Sequence, residues 1–485
     1  MLALIVLIPL LAALAVLAGA PARRTTVAAA LANLVLGLAA ATSWHHASLW
    51  SCQVQVLERP AIRLAFGFLD GMSVVMVLLT VIVTAAAALA AKCPQGRERL
   101  YYPSISLIAA GAAGAFASTD LFFFYAFHEL ALLPTFLMIG ILGRGNRREA
   151  AWKITIYLGL GSIILLAGLV WLANAAGTFD MARMLSDAKS GKLAIDPVAQ
   201  HSIALFLIVG FGILVSLFPF HSWAAPAYAS APAPVAMLHA GVLKKFGLYG
   251  LLRLAVPLLP EGMHAWLTPL LWLLLGNILW VGLVTVNQKR LDLLLGNSSV
   301  MHMGYIFLAV AALAADGGIA RNPIALPAAV LLMFAHGISI ALLFGLTDRI
   351  ERSTGTLELL DLGGLAKPAP ALAFLFGIAG MASIGLPGLA NFAGEVMVFL
   401  AAFRNHRAAA GLGPLQIATI LSLWGVVLGA VYMLRAYRSI FQGATVRSTE
   451  AAADLTHAEL LPALLLVVTL FAVGIYPNLL LNLLR

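Results

Sequence analysis

The sequence predicts an all-α integral membrane protein with about fourteen transmembrane helices. Of its 485 residues, 62% are hydrophobic and only 10% are charged, whereas an average soluble domain carries about 25% charged residues. Apolar runs of about 20 residues recur along the whole chain, and each is long enough to cross a hydrocarbon core roughly 30 Å thick as a helix. The composition therefore argues against a soluble fold.

Short polar or Gly/Pro-rich connections separate the predicted spans, and the fourth and fifth are nearly continuous. The first span lacks a basic leading segment, which favours a retained helix over a cleaved signal peptide. The longest connection, roughly 176–201, is predicted to be a polar loop with at most one amphipathic turn. The spans are predicted at 2–19, 26–43, 69–91, 103–118, 119–142, 152–175, 202–220, 232–256, 264–286, 291–315, 325–346, 370–400, 414–438 and 460–482.

The charged residues report topology rather than a ligand. The net charge is +9, but Lys and Arg are scattered through short loops instead of forming one basic face, so we expect no nucleic-acid partner. They are more frequent after odd-numbered spans, which places those loops in the cytoplasm and both termini on the opposite side. Cys52 and Cys93 stand in different connections without metal-ligand spacing. We therefore expect no cofactor or metal in this chain, and any redox centre belongs to a partner.

Two predicted spans contain residues that break helices. The segment 217–223 ends the seventh span, and the segment 385–391 splits the twelfth. Paired breaks at corresponding positions predict inverted repeats around a pathway at the bilayer midplane, although Pro and Gly are also frequent in membrane helices generally. The predicted organisation is N-terminal helices at 1–100, a first five-helix repeat at 101–256, a second at 257–440, and a C-terminal loop and helix at 441–485.

Seven of the ionisable side chains in the predicted spans are candidates for a functional role. A charge at the centre of a membrane helix costs about 2.5–3.5 kcal/mol on insertion scales, so such residues are usually paired, hydrated or functional. They predict a proton or cation pathway through the centre of the protein. The candidates are Glu129 in span 5, Lys153 in span 6, Lys244 and Lys245 in span 8, His302 in span 10, His336 in span 11 and Glu395 in span 12.

The chemistry of these side chains suits proton transfer. Glu129 is too short to reach the surface, so it is neutral, paired or hydrated; the alternative role is to tie two helices together. Lys244 and Lys245 point about 100° apart on a helix, so at most one of them faces a given pathway. A histidine accepts a proton on one nitrogen and releases one from the other. Lys153 either joins the relay or snorkels to the surface.

Taken together, the motifs resemble those of the antiporter-like subunits shared by respiratory complex I and multisubunit cation/proton antiporters. The resemblance covers nearly the whole chain. Its most specific parts are Leu217-Phe218-Pro219-Phe220-His221-Ser222-Trp223, Ala240-Gly241-Val242-Leu243-Lys244-Lys245, Ser299-Val300-Met301-His302-Met303-Gly304, Ala335-His336-Gly337-Ile338-Ser339, and Leu386-Pro387-Gly388 followed by Asn391-Phe392-Ala393-Gly394-Glu395.

The resemblance implies two inverted five-helix repeats and a hydrophilic axis in the plane of the membrane. It assigns Glu129 to the carboxylate of span 5, Lys245 to the central lysine of span 8, and His302 and His336 to the connecting histidines. Glu395 matches the exit residue of span 12, which is typically Glu in the M-type subunit. The absence of a long lateral helix after span 14 also favours the M type.

One position departs from the family pattern. The family usually has a lysine four residues before the Phe-Pro-Phe-His segment, as the partner of the span-5 glutamate, and this chain has Leu214 there. We expect Lys153 or Lys244 to supply the missing charge. The implied function is a proton-translocating, redox-inactive membrane-arm subunit of an NADH:quinone oxidoreductase, in contact with neighbouring antiporter-like subunits in a bacterial inner membrane. The alternatives are a subunit of a Na⁺/H⁺ antiporter, hydrogenase or inorganic-carbon uptake complex, or an inactive structural paralogue.

Overall fold

The computed structural model describes residues 1–404 and 411–484, and these are mainly helical. The helices in chain order are α1 (Leu2–Leu17), α2 (Ala22–Ser43), α3 (Ala47–Trp50), α4 (Gly71–Ala90), α5 (Glu98–Ala117), α6 (Leu121–Leu142), α7 (Arg147–Ala176), α8 (Met181–Lys189), α9 (Pro197–Val215), α10 (Ala224–Ser230), α11 (Ala233–Leu238), α12 (Lys245–Gly250), α13 (Val256–Leu258), α14 (Pro260–Ala265), α15 (Leu267–Leu275), α16 (Val281–Val286), α17 (Leu291–Asp316), α18 (Ala325–Thr354), α19 (Pro370–Ser383), α20 (Ala390–Phe403), α21 (Pro414–Phe441), α22 (His457–Ile475) and α23 (Asn478–Leu481).

Short segments of other helix types interrupt or follow these elements. Three π-helical segments join α11 to α12, α12 to α13 and α15 to α16; they are His239–Leu243, Leu251–Ala255 and Gly276–Trp280. Two 3₁₀ segments are Leu359–Asp361 and Asn482–Leu484. Each π segment carries one residue more than a regular helix would, which turns the following side chains to a new direction.

The described helices match the predicted spans closely. Ten of them and the two continuous runs Ala233–Leu258 and Leu267–Val286 are long and apolar enough to cross a membrane, which gives twelve candidate spans, and α1, α19 and α20 are shorter apolar helices. Predicted span 8 is the continuous run from α11 to α13, and predicted span 12 is divided into α19 and α20. The count of fourteen spans and the two inverted repeats remain predictions.

Three aspartates fix the starts of helices. The carboxylates of Asp70, Asp120 and Asp196 accept backbone N–H groups of the first turns of α4, α6 and α9.

Between predicted spans 2 and 3 the mainly helical chain also contains two short strands, which were not predicted from the sequence. Strands β1 (Cys52–Leu57) and β2 (Ile62–Phe66) form an antiparallel hairpin in which Cys52 lies opposite Phe66. All residues of β1 are exposed. The strand therefore lacks the alternation of buried and exposed residues by which a strand is predicted from a sequence. The loop predicted at 176–201 also contains a full helix, α8, whose N-terminus is capped by the carboxylate of Asp180.

The most buried helices form the centre of the bundle. Helices α4, α5, α17 and α18 are almost wholly buried, and no residue is exposed in the run from α11 to the π segment before α13. By contrast α6, α7, α21 and α22 bury only part of their surface and present large apolar side chains outward. At one end of the bundle, Glu459 at the start of α22 pairs with Lys92 at 2.5 Å and with Arg352 at 3.0 Å. These contacts join three chain segments distant in sequence.

Candidate proton pathway

The first predicted helix break lies between α9 and α10. Ser216 adopts a left-handed backbone conformation, with φ of 66°, and the Phe218–Pro219 peptide bond is cis. The side chain of Asn277 holds the broken segment: its Oδ1 accepts the N–H of Phe218 at 2.6 Å, and its Nδ2 donates to the carbonyl of Ser216 at 3.1 Å. The same Nδ2 lies 3.0 Å from the carbonyl of Val300 in α17. Asn277 therefore satisfies backbone groups that the break leaves without helical partners.

The second predicted break lies between α19 and α20. Gly385 and Gly388 have positive φ angles of 73° and 91°, which only glycine adopts without strain. A Cβ atom on Gly385 would collide with Oε2 of Glu395, so the turn leaves space for this carboxylate. Glu395 is 5% exposed. The break thus places the buried carboxyl of α20 against the backbone of the turn.

Lys245 begins α12 in the centre of the bundle, between two π segments. Its side chain is fully buried, and its Nζ lies 2.5 Å from the carbonyl of Ala240 and 2.9 Å from Nδ1 of His336 in α18. The amine and the imidazole can share one proton, because either nitrogen can be the donor. Their other polar neighbours are few, and Nε2 of His336 has no hydrogen-bond partner among the described residues.

Two glycines allow this contact by bringing the helices together. A Cβ atom on Gly241 would lie 3.0 Å from the carbonyl of Gly337, and a Cβ on Gly337 would lie 2.6 Å from the carbonyl of Gly241. The backbones are therefore in direct contact at this crossing. Lys245 is one turn beyond Gly241, and His336 is next to Gly337, so both side chains project into the same narrow space.

His302 continues the line from His336 toward the second break. The two imidazole rings have centroids 5.4 Å apart. Nδ1 of His302 lies 2.8 Å from the carbonyl of Ser298, and Nε2 lies 2.8 Å from the carbonyl of Ser383, the last residue of α19. Lys245, His336 and His302 therefore form a buried lysine–histidine line that ends at the turn holding Glu395.

Lys244 is also buried but points away from this line. Its Nζ lies 3.4 Å from Oγ of Ser299 in α17 and 5.6 Å from the centroid of the Tyr228 ring. The predicted divergence of adjacent lysines is confirmed, since Lys244 and Lys245 have different partners. Ser299 precedes His302 by about one helical turn, so Lys244 also approaches α17.

Glu129 in α6 lies apart from the lysine–histidine line. Its Oε1 accepts a hydrogen bond from Oγ of Ser162 at 2.5 Å and lies 3.6 Å from Nδ1 of His128. The ring of His128 stacks on Phe246, with centroids 3.9 Å apart, and Phe246 follows Lys245 in sequence. About a third of the Glu129 side chain is exposed. The stacked pair thus joins the surroundings of Glu129 to the helix that carries Lys245.

The structure does not pair Glu129 with either lysine proposed as its partner. Lys153 is half-buried on α7 and lines a surface cavity of about 600 Å³ together with Glu149, Glu351 and Arg290. Lys244 contacts Ser299 instead. Leu214, at the position of the missing lysine, is buried. Among the described residues, the polar groups beside Glu129 include the hydroxyls of Ser162 and Tyr125 and the imidazole of His128, which the sequence did not single out for this role.

A second buried charge fixes the far end of the run that carries Lys245. Arg253 donates two hydrogen bonds of 2.6 Å to the two carboxylate oxygens of Asp70 and one of 3.1 Å to Oγ of Ser73. Its guanidinium also lies 5.0 Å from the ring of Tyr249. Such a bidentate pair defines orientation as well as distance. It anchors the last turns of the run against the N-terminus of α4.

Comparison with known proteins places this geometry in a family. A family model described as NADH:quinone oxidoreductase/Mrp antiporter, TM, matches residues 118–422. The chain is 34% identical over 462 residues to the NAD(P)H-quinone oxidoreductase chain 4 2 of Thermosynechococcus vestitus, covering 93% of this chain and 83% of the relative. It is 35% identical over 485 residues to chain 4 1 of Synechococcus sp. (strain JA-3-3Ab), covering 98% and 89%.

Solved structures show the same fold. A chain of respiratory complex I from Thermus thermophilus with bound NADH matches with a TM-score of 0.88 and 28% identity, covering 100% of this chain and 97% of that one. A chain of the Mrp complex from Dietzia sp. DQ12-45-1b matches with a TM-score of 0.81 and 23% identity, covering 99% and 95%, which is a likeness of fold. The chain is a multi-pass membrane protein that belongs to the NADH:quinone oxidoreductase/Mrp antiporter transmembrane family.

Proposed function

We propose that this chain is a proton-translocating membrane-arm subunit of an NADH:quinone oxidoreductase. One observation carries the proposal: the buried side chains of Lys245, His336 and His302 lie next to one another in this order and lead to the helix break beside Glu395. Buried ionisable groups are expensive in a membrane protein and mark ion or proton paths. Here the Lys245 amine and the His336 imidazole are hydrogen-bonded and can exchange a proton, while the two nitrogens of the adjacent His302 ring lie against backbone carbonyls.

The proposed mechanism is electrostatic. A charge change caused by quinone reduction in another subunit alters the proton affinity of Glu129, and this change passes to Lys245 and then to Glu395. A proton moves from the Lys245 ammonium, which becomes a neutral amine, to His336 and on toward Glu395, and each group returns to its starting protonation when the next proton enters. Glu129 acts from the side, through the layer formed by His128 and Phe246.

The composition of the complex follows from the relatives. The similar proteins of cyanobacteria are named as chains of an NAD(P)H-quinone oxidoreductase, and the complex I chain from Thermus thermophilus is matched over nearly its whole length. We therefore propose that this chain packs against other membrane-arm subunits and that these or further partners hold the redox cofactors. The partly exposed face of α6 and α7, which carries Glu129, suits contact with a neighbouring subunit.

The proposal also covers the membrane in which the chain lies, the side on which its termini lie and the division of the chain into two repeats. The positive-inside pattern supports a bacterial inner membrane with both termini on the periplasmic side. The two broken segments support assignment of residues 101–256 and 257–440 to inverted repeats. A Na⁺/H⁺ antiporter subunit remains the alternative, and it predicts sodium-dependent proton exchange without NADH.

The test is proton translocation by the whole complex in inverted membrane vesicles. Replacing Lys245 by Ala should abolish NADH-driven acidification of the vesicle interior while the complex still assembles. Lys192→Ala, at an exposed lysine in the connection before α9, is the matched control and should pump normally. Normal acidification in Lys245→Ala would overturn the proposal. Proton exchange that needs sodium but not NADH in the unchanged protein would favour the antiporter alternative.

A further inference from the structure

Both ring nitrogens of His302 face groups that can only accept a hydrogen bond. Nδ1 lies 2.8 Å from the carbonyl oxygen of Ser298, and Nε2 lies 2.8 Å from the carbonyl oxygen of Ser383. The side chain is 2% exposed, so water does not replace either partner. Each contact is a hydrogen bond only if the ring nitrogen carries a proton, and a neutral imidazole carries only one. The two contacts together therefore fit the positively charged imidazolium.

The second helix break supplies the carbonyl that faces Nε2. In a continuous helix the carbonyl of Ser383 would accept the N–H of residue 387. That residue is Pro387, which has no N–H, and α19 ends at Ser383. The carbonyl is therefore free to accept a hydrogen bond from the His302 ring. The C-terminal end of a helix also carries a partial negative charge, which favours a cation beside it.

The nearby positive charges come from the two lysines. The charges of Lys244 and Lys245 both act on the His302 ring. The ring of His336, which is bonded to Lys245, has its centroid 5.4 Å from that of His302. A positive charge on His302 therefore disfavours a second proton on His336. The other titratable side chains beside the ring or its Ser298 partner are uncharged near neutral pH; they are Tyr305 and Tyr432.

Glu395 can supply the compensating negative charge on the other side of the turn. Its carboxyl group lies against Gly385, two residues after the carbonyl that His302 contacts. A buried charge is far less costly when an opposite charge lies close to it. An imidazolium at His302 and an ionised Glu395 would therefore stabilise each other across the turn between α19 and α20.

We propose that His302 is not a proton relay but a positively charged positioning residue, held as an imidazolium by the carbonyls of Ser298 and Ser383. Both of its ring protons stay in place during turnover. Its charge keeps the mobile proton on Lys245 until Glu395 has lost its own proton and attracts the next one. That proton then leaves from Nε2 of His336, which has no partner among the described residues, and passes beside His302 rather than through it.

This role rests on the proposed proton-translocating function, and variants at His302 separate the two. Arginine keeps the positive charge but cannot release a proton, whereas glutamine is neutral. In the whole complex in inverted vesicles, His302→Arg should retain part of the NADH-driven acidification and His302→Gln should lose most of it. His457→Gln, at an exposed histidine at the start of α22, is the matched control and should pump normally.

The outcomes of this experiment decide the role of the histidine. If His302→Arg assembles but is as inactive as His302→Gln, while Lys245→Ala also stops translocation, the histidine must release its proton. The proposed role is then wrong, and the proposed function stands. Normal pumping by His302→Gln would likewise overturn the role. Normal pumping by Lys245→Ala would instead overturn the proposed function.

A second measurement does not depend on turnover or on the tolerance of the site to arginine. Solid-state nitrogen NMR of the reconstituted complex, isotope-labelled at its histidines, distinguishes an imidazolium from a neutral imidazole. At a pH of about 9 an ordinary histidine is neutral. We expect an imidazolium signal to persist at this pH and to be missing from His302→Gln. If the signal that is missing from His302→Gln is that of a neutral imidazole, the proposed role is overturned.

Discussion

Nζ of Lys245 lies 2.9 Å from Nδ1 of His336, and neither side chain has appreciable access to the surface. The pair joins the run of short helices that contains α12 to the long helix α18 across a crossing where two glycines bring the backbones into contact. Because one proton serves both nitrogens, the charge can reside on either helix. Movement of that proton changes the electrostatics of two helices at once.

Replacing His336 should uncouple Lys245 from His302. In His336→Ala the Lys245 amine retains only the carbonyl of Ala240, and a buried donor without its partner costs about 1–3 kcal/mol. We expect NADH-driven proton translocation to be lost and the melting temperature of the purified complex to fall slightly. His264→Ala, at an exposed histidine in α14, should change neither quantity. Translocation at the normal rate would show that protons bypass the imidazole.

Glu395 provides the carboxyl at the second break, and no hydrogen bond to it is present among the described residues. Glu395→Gln keeps the shape and removes proton exchange, so we expect assembly to be unaffected and translocation to stop. Glu395→Asp should retain part of the activity because the carboxyl remains. Glu261→Gln, on the exposed surface of α14, is the matched control. Equal pumping by the Gln variant and the unchanged complex would remove Glu395 from the pathway.

Asn277 should prove more important for stability than its position in an apolar helix suggests. Asn277→Ala removes contacts to Phe218, Ser216 and Val300 and leaves buried backbone groups without partners, at a cost of about 1–3 kcal/mol for the first such group. We expect a lower melting temperature of the detergent-solubilised complex. Asn287→Ala removes only an exposed bond to its own helix and should have little effect. Equal melting temperatures in the two variants would contradict the assigned role.

The Asp70–Arg253 pair should make the free energy of unfolding depend on pH in the acidic range. Burial raises the pKa of Asp70, but the charge of Arg253 and its hydrogen bonds outweigh this, so the pKa lies below its usual range. The stabilisation is therefore complete above the unfolded pKa of about 3.9 and is lost as the pH falls through the lower folded value.

Asp70→Asn tests this pair. It leaves the guanidinium of Arg253 buried without its anionic partner. The expected loss of stability is smaller than the roughly 3–5 kcal/mol for a fully buried pair, because Asp70 is partly exposed. The variant should melt at a lower temperature at neutral pH and show a weaker dependence on pH below about 4 than the unchanged protein. The same pH dependence in both proteins would argue against the pair.

Apolar runs of suitable length predicted the helices well, because a membrane span has a clear signal in composition. Both breaks were also predictable, since Pro219, Gly385 and Gly388 mark them. The π segments around Lys245 were not, because a π segment has no distinctive residue pattern. Asn277 looked like an isolated polar residue in an apolar run. Its role depends on Phe218, 59 positions away, and only the folded structure brings them together.

The candidate residues were predicted as a set, but not their grouping. Residue types placed Lys245, His336 and His302 inside the membrane, while only the helix crossing shows that they form one line. Glu129 matched the pattern of a paired carboxylate, yet its neighbours are Ser162, Tyr125 and His128. The missing basic residue at Leu214 was visible in the sequence. The link between His302 and Ser383 was not, because 81 residues separate them.

The two π segments that flank α12 also mean that this helix has more than one possible orientation, each with its own set of side-chain contacts. Successive residues of a helix point about 100° apart. If the segment 239–243 rewound to regular α-helical geometry, the six residues of α12 would rotate by about this angle relative to α11. Such a rotation would withdraw Lys245 from His336 and turn the neighbouring Lys244 through the same arc. A single turn of helix could in this way act as a selector between the two lysines.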